Sequence, residues 1–163
     1  MHRPRPARRP TARRDRRGAA FVEFAAVAPF FVGLAIMGLE MNVCILTAQR
    51  LDAALREGGR LAAMDWDETL PGRQSPRDKI EQDVRNFLAA EGVPRGDVDF
   101  AMTHVDGPRA GQPFELGAAG NKLALFTMEA SVPTPEGYFA RMWFGDRLTG
   151  RFAFRAGRDA HSP

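Results

Sequence analysis

Apolar positions crowd one stretch of this chain and alternate through another. From Phe24 to Leu39 sixteen residues pass without a charge, bounded by Glu23 and Glu40. Beyond Leu46 the pattern becomes amphipathic: Leu51, Leu55, Gly58 and Ala62 recur at helical spacing, with Ala54 and Leu61 beside them and Gln49, Asp52, Arg56, Glu57 and Arg60 on other faces. No turn signal separates the halves, so the spacing predicts one helix over Ala19–Met64. At about 1.5 Å per residue it is roughly 70 Å long. Asp52 and Arg56 are placed for an i,i+4 ion pair. The adjacent Gly58 and Gly59 weaken the helix unless another element packs closely there. Pro29 lacks an amide hydrogen and is expected to kink or open the helix locally, which membrane helices tolerate.

A loop is expected from Asp65 to Ser75, with a turn at Pro71-Gly72. Ser75-Pro76-Arg77-Asp78 then supplies an N-cap, a proline at the first helical position and an acid in the first turn. Ile80, Val84, Phe87 and Leu88 form the predicted buried stripe, and Gly92 and Pro94 end the helix. The remainder alternates as strands do. Val98, Phe100 and Met102 share one face. A short edge piece is expected at Phe114–Leu116. The longest strand is predicted at Lys122–Val132, with Ala124, Phe126, Met128, Ala130 and Val132 inward. The last is Arg147–Arg155, with Leu148, Phe152 and Phe154 inward. Tyr138–Phe144 fits a helical turn, a strand or an apolar loop. The predicted fold class is α+β: a long N-terminal helix running into a small domain with one further helix on an antiparallel sheet.

Charge sharpens the first half of this picture. Residues 1–17 hold eight Arg against Asp15 alone, so the rest of the chain, with 15 basic and 19 acidic residues, is net acidic. The Pro- and Arg-rich start lacks apolar periodicity and is expected to be disordered. Such a cluster can bind phosphates, but directly before an apolar run it reads as the positive-inside flank of a membrane span. The bilayer is therefore the expected partner and nucleic acid is not. The expected layout is a basic leader over 1–18, a helix over 19–64 that is membrane-embedded to about residue 46, and a small domain over 65–163. A buried helix of a soluble protein is the alternative; nothing later in the chain supplies the apolar surface to surround it.

Candidate chemistry is sparse. Cys44 is the single cysteine, inside the apolar part of the helix, where a thiol acts as a small hydrophobe; no internal disulfide can form. His2 and His161 lie in the tails, and His104 reads as a structural or surface histidine. Asp65, Asp67 and Glu68 lack the spacing of a calcium loop. No catalytic residues, metal ligands or cofactor site are expected. Tyr138, Trp143 and Phe144 fit either an interface patch or core filling.

The order of basic cluster, Gly18, Ala19-Ala20-Phe21-Val22, Glu23, Phe24 and apolar helix resembles a type IV prepilin-like signal. The wider stretch DRRGAAFVEFAAVAPFFVGLAIMGLEMN, continued by Gln49-Arg50-Leu51-Asp52-Ala53-Ala54, resembles the start of TadE/TadG-like proteins of the tight-adherence (Flp pilus) system, and is closest to TadE. The resemblance implies a prepilin peptidase cutting between Gly18 and Ala19. It implies assembly roles for Glu23, Phe24 and Glu40, and a pilin-like fold. Glu23 would pair with the N-terminal cation of a neighbouring helix, since either charge alone is costly to bury; the plainer reading is an acid at the membrane edge. The implied place is the inner (cytoplasmic) membrane, with the N-terminus cytoplasmic and the domain periplasmic. Other pilin-like subunits and inner-membrane pilus assembly proteins would be partners. The chain would act as a minor pilin, pseudopilin or assembly component rather than an enzyme. The alternative is a single-span envelope or secretion accessory outside any filament.

Overall fold

The computed structural model describes residues 13–63, 75–121 and 123–157. The chain divides into two compact units, Met1–Leu39 and Glu40–Pro163. Helix α1, Arg13–Ala62, begins in the first and ends in the second. It starts at Arg13, inside the stretch expected to lack structure. Past Pro10 no residue opposes a helix before Gly18, and arginine is a favourable helix former. Helical conformation continues through Pro29.

The described part of the first unit is this helix alone. Phe21, Val22, Phe24, Phe30, Phe31 and Leu39 are among the large apolar residues it exposes. Its most apolar window has none of its residues buried, and the helix over Gly18–Ala62 is long and apolar enough to cross a membrane.

The second unit is an α+β layer pair. Among the described residues its sheet has three antiparallel strands in the order β1 (Asp99–His104), β2 (Leu125–Pro133) and β3 (Arg147–Arg155). Even-numbered residues face inward. Phe126, Met128, Ala130 and Val132 of the central strand are all buried, as the alternation requires. On that face pack the second half of α1, through Leu51, Ala54, Leu55 and Ala62, and helix α2 (Pro76–Ala90), through Ile80, Val84 and Leu88. The glycine pair sets how closely they approach. A Cβ on Gly58 would lie 2.8 Å from Val84 and 2.9 Å from Met128, and one on Gly59 would lie 2.1 Å from the Phe154 ring. Arg56 lies over the Phe152 ring, 5.3 Å from its centroid, rather than pairing with Asp52 as the spacing suggested.

Helix α2 is built as its sequence dictates. The Ser75 hydroxyl accepts from the Asp78 amide at 3.1 Å, and Pro76 stands in the first turn. At the other end Gly92 has φ +90°, the Val93 amide donates to Leu88 O at 2.9 Å, and the Gly92 amide donates to Ala89 O at 3.1 Å. That is a Schellman stop, whose left-handed residue favours glycine. Phe87 departs from the expected buried stripe and is 38% exposed. Ile80, Val84 and Leu88 already fill an i,i+4 line, which turns Phe87 to its edge.

Three further expectations are corrected. Phe114–Leu116 forms no strand: Pro113 bridges Thr103, the Phe114 amide donates to Met102 O at 2.9 Å, and Phe114 is fully buried as a core plug. β2 begins at Leu125, and Leu123 ahead of it takes φ +57°, a left-handed conformation that interrupts an extended run; Lys122, the expected start, lies outside the described residues. Of the open readings for Tyr138–Phe144 the helical one holds, as α3, so among the described residues two α-helices besides α1 accompany the sheet where one was expected. The expected turn at Pro71-Gly72, the acids Asp65, Asp67 and Glu68, His2, His161 and the first twelve residues lie outside the described residues.

Candidate functional site

The residues singled out by sequence fall into two groups. Gly18, Ala19, Glu23 and Phe24 are in the first unit, all helical and all exposed, with Phe24 at 67%. A Cβ placed on Gly18 meets nothing within 4 Å. Glu23 stands among exposed apolar side chains, with Val22 at 68% exposed beside it. An unpaired carboxylate on an apolar helix is costly in lipid unless it reaches an interface or a cation.

Glu40 belongs to the second unit and has an intrachain task. Its Oε2 accepts from the backbone amides of Phe139, at 2.8 Å, and Ala140, at 3.1 Å. These are free first-turn amides of α3 (Tyr138–Phe144). The carboxylate thus caps a helix 99 residues further along the chain and meets the positive end of its dipole. Gly137 makes room for it: a Cβ there would lie 2.6 Å from the Glu40 carboxyl carbon. The other end of α3 closes through the Gly145 amide, which donates to Arg141 O at 2.9 Å, with Gly145 at φ +74°. The base of the β2–β3 connection is tied by the Thr134 amide donating to Asp146 O at 2.9 Å.

Sequence reasoning missed Gly137, Phe139 and Ala140 as partners of Glu40. The available signal was a glycine directly before an aromatic run, which says nothing of a carboxylate so distant in sequence. For the aromatics the sequence leaves both readings open. Tyr138 and Trp143 are 76% and 66% exposed, so they form surface rather than core. His104 is nearly buried, its ring edge-on to Phe114 at 4.7 Å between centroids, which is a packing role.

Protein covers one face of α1 from Glu40 onwards. Cys44 is fully buried and Thr47 nearly so, its hydroxyl donating to Val43 O at 2.9 Å. The opposite face keeps Val43, Ile45 and Leu46 between 42% and 49% exposed. The first fully buried side chain along the described part of α1 is therefore Cys44.

The charged residues of the second unit mostly bind it together. Arg147 reaches Asp99 at 2.7 Å and also donates to Ser131 Oγ at 3.1 Å, tying β1, β2 and β3. Arg151 pairs with Glu129 across β2 and β3. Arg50 pairs with Glu91 at 3.3 Å, joining α1 to the end of α2. Arg60 donates to both oxygens of Glu57, and this hydrogen bond holds the Glu57 carboxyl below the usual carboxylate range. Exposed pairs of this kind are screened by solvent and add little to stability. Among the described residues no three His, Cys, Asp or Glu side chains cluster as metal ligands.

No family model and no solved structure matches the chain. An alignment 124 positions long, covering 72% of the chain, is 35% identical to part of erythronolide synthase EryA3 of Saccharopolyspora erythraea. The chain spans only 4% of the length of that curated relative, so the likeness does not carry the synthase's activity over to it.

Proposed function

We propose that the chain is a single-span membrane protein that serves as a minor pilin, pseudopilin or assembly component of a tight-adherence pilus. It works by packing helices and domains, without a reaction of its own. The observation that supports this reading best is the exposure of the apolar helix from Gly18 to Leu39. Over this segment none of the most apolar window is buried. A water-facing monomer rarely bears so large an apolar surface, so lipid or neighbouring helices must cover it. Gly18–Leu39 extends about 33 Å as a helix, enough for a hydrocarbon core about 30 Å thick. The eight arginines before it favour a cytoplasmic N-terminus. On this reading a prepilin peptidase removes residues 1–18, and Glu23 meets the new N-terminal cation of a neighbouring subunit. The domain of Glu40–Pro163 then stands in the periplasm, with related subunits and inner-membrane assembly proteins as partners.

Leader removal tests the assignment. Co-expressed with a prepilin peptidase, the chain is expected to lose the mass of residues 1–18, and Gly18→Ile to retain it. Nothing crowds Gly18 within this chain, so a block cannot be blamed on steric conflict inside the fold. Normal trimming of Gly18→Ile in intact-mass spectra would refute the cut site.

A further inference from the structure

Helix α3 exposes more apolar surface than its packing covers. Of its seven residues only Ala140 is buried, while Tyr138, Met142 and Trp143 are 76%, 62% and 66% exposed. A helix this short has no stability of its own in water. Its surface holds a shallow depression lined by Glu136, Gly137, Tyr138, Arg141 and Met142. Its first turn is fixed in place by the two amides that donate to Glu40.

Glu40 directly follows Leu39, where the uncharged apolar run ends. The first turn of α3 is therefore held within one side chain's reach of the point where that run stops. Beside it α1 exposes Val43, Ile45 and Leu46. Tyrosine and tryptophan combine an apolar body with a polar tip, which suits the headgroup layer of a bilayer. Arginine can lay its stem on apolar surface and carry its charge to phosphate.

We infer that α3 is an interfacial helix that lies in the phospholipid headgroup layer on the domain's side of the membrane, with Tyr138, Met142 and Trp143 toward the acyl chains and Arg141 toward the phosphates. This rests on the membrane reading of α1. Glu40 sets the depth, and its charge is met at the interface by the α3 amides rather than by water alone. Area favours lipid over protein as the occupant. Stable protein interfaces take about 800 Å² and 20–30 residues a side, which seven residues cannot supply, whereas a headgroup layer sets no such minimum.

The test uses the full chain carrying Trp66→Phe, leaving Trp143 as its single tryptophan, in phosphatidylcholine–phosphatidylglycerol vesicles. Trp143 emission is expected to be blue-shifted and shielded from aqueous iodide. Lipids brominated near the headgroup should lower it about twofold or more, and lipids brominated near the chain ends less, as a headgroup-level position requires. Glu40→Ala is expected to weaken that quenching; unchanged quenching would show that Glu40 does not set the depth. If the chain floats with the vesicles while iodide quenches Trp143 as freely as a dissolved tryptophan, the inference fails and the membrane reading stands. Shielding from iodide without bromine quenching would put a protein surface on α3 and also overturn it. A chain that does not float with the vesicles removes both.

Discussion

Glu23→Ala is expected to leave the chain in the membrane and remove it from sheared filaments. Glu23 is exposed on a helix whose neighbours are apolar. Deleting its charge can only ease insertion, because a carboxylate in lipid is a cost of up to about 3 kcal/mol at the bilayer centre. Assembly is affected in the opposite sense. On the proposed reading the N-terminal cation of a neighbouring helix loses its partner, and breaking a buried pair costs about 3–5 kcal/mol. Each 1.36 kcal/mol is about tenfold, so incorporation should fall by about a hundredfold or more at equal membrane abundance. On that reading the effect depends on the N-terminus that leader removal would create. Added to Gly18→Ile, which keeps the leader, Glu23→Ala should have little further effect, a non-additivity expected of coupled sites. Wild-type amounts of Glu23→Ala in filaments, measured beside membrane abundance, would contradict the pairing.

The second large effect is on the fold. Phe126→Ala is expected to destabilise the domain by about 3–5 kcal/mol, the usual range for a large aromatic removed from a core. Phe126 is fully buried on the central strand, stacked on Phe114 with centroids 4.6 Å apart and 6.0 Å from Phe154. It is thus the middle of a three-ring column that joins the Phe114 plug to the edge strand. Domains of this size have about 5–15 kcal/mol of stability in total, so the loss should be evident as a lowered urea midpoint in pulse proteolysis of the micelle-held chain. Phe126→Leu keeps most of the volume and should cost less. A midpoint unchanged by the alanine variant would mean that the column does not hold the domain.

What could be read from the sequence was local. α2 carries its start and stop within its own residues, so Ser75, Pro76 and Gly92 act as they read. β3 was equally legible, since alternation alone separates Leu148 from Arg147 and Arg151. Gly58 and Gly59 signalled a close approach, and the side chains of Val84, Met128 and Phe154 fill that space. The misses are those where a distant partner decides. Leu123 starts β2 late through a backbone conformation that no alternation pattern encodes. Phe114 looked like a strand residue because a buried plug and an inward strand position have the same composition. α3 has no apolar period over its seven residues, and its cap comes from the other end of the chain. Glu40 was conspicuous as an acid ending an apolar run; its sequence gave no sign of the amides it would meet. The first unit differs in kind. Its apolar helix was plain from hydropathy, but Gly18 and Glu23 act, on the proposed reading, only on a peptidase and on neighbouring subunits.

Every part of the proposed role requires α1 to be held by lipid. The most direct measurement is alkaline carbonate extraction of membranes from cells making the full-length chain, followed by flotation of the residue. The chain is predicted to resist extraction and rise with the lipid. Its release into the supernatant as a freely soluble monomer would contradict the account.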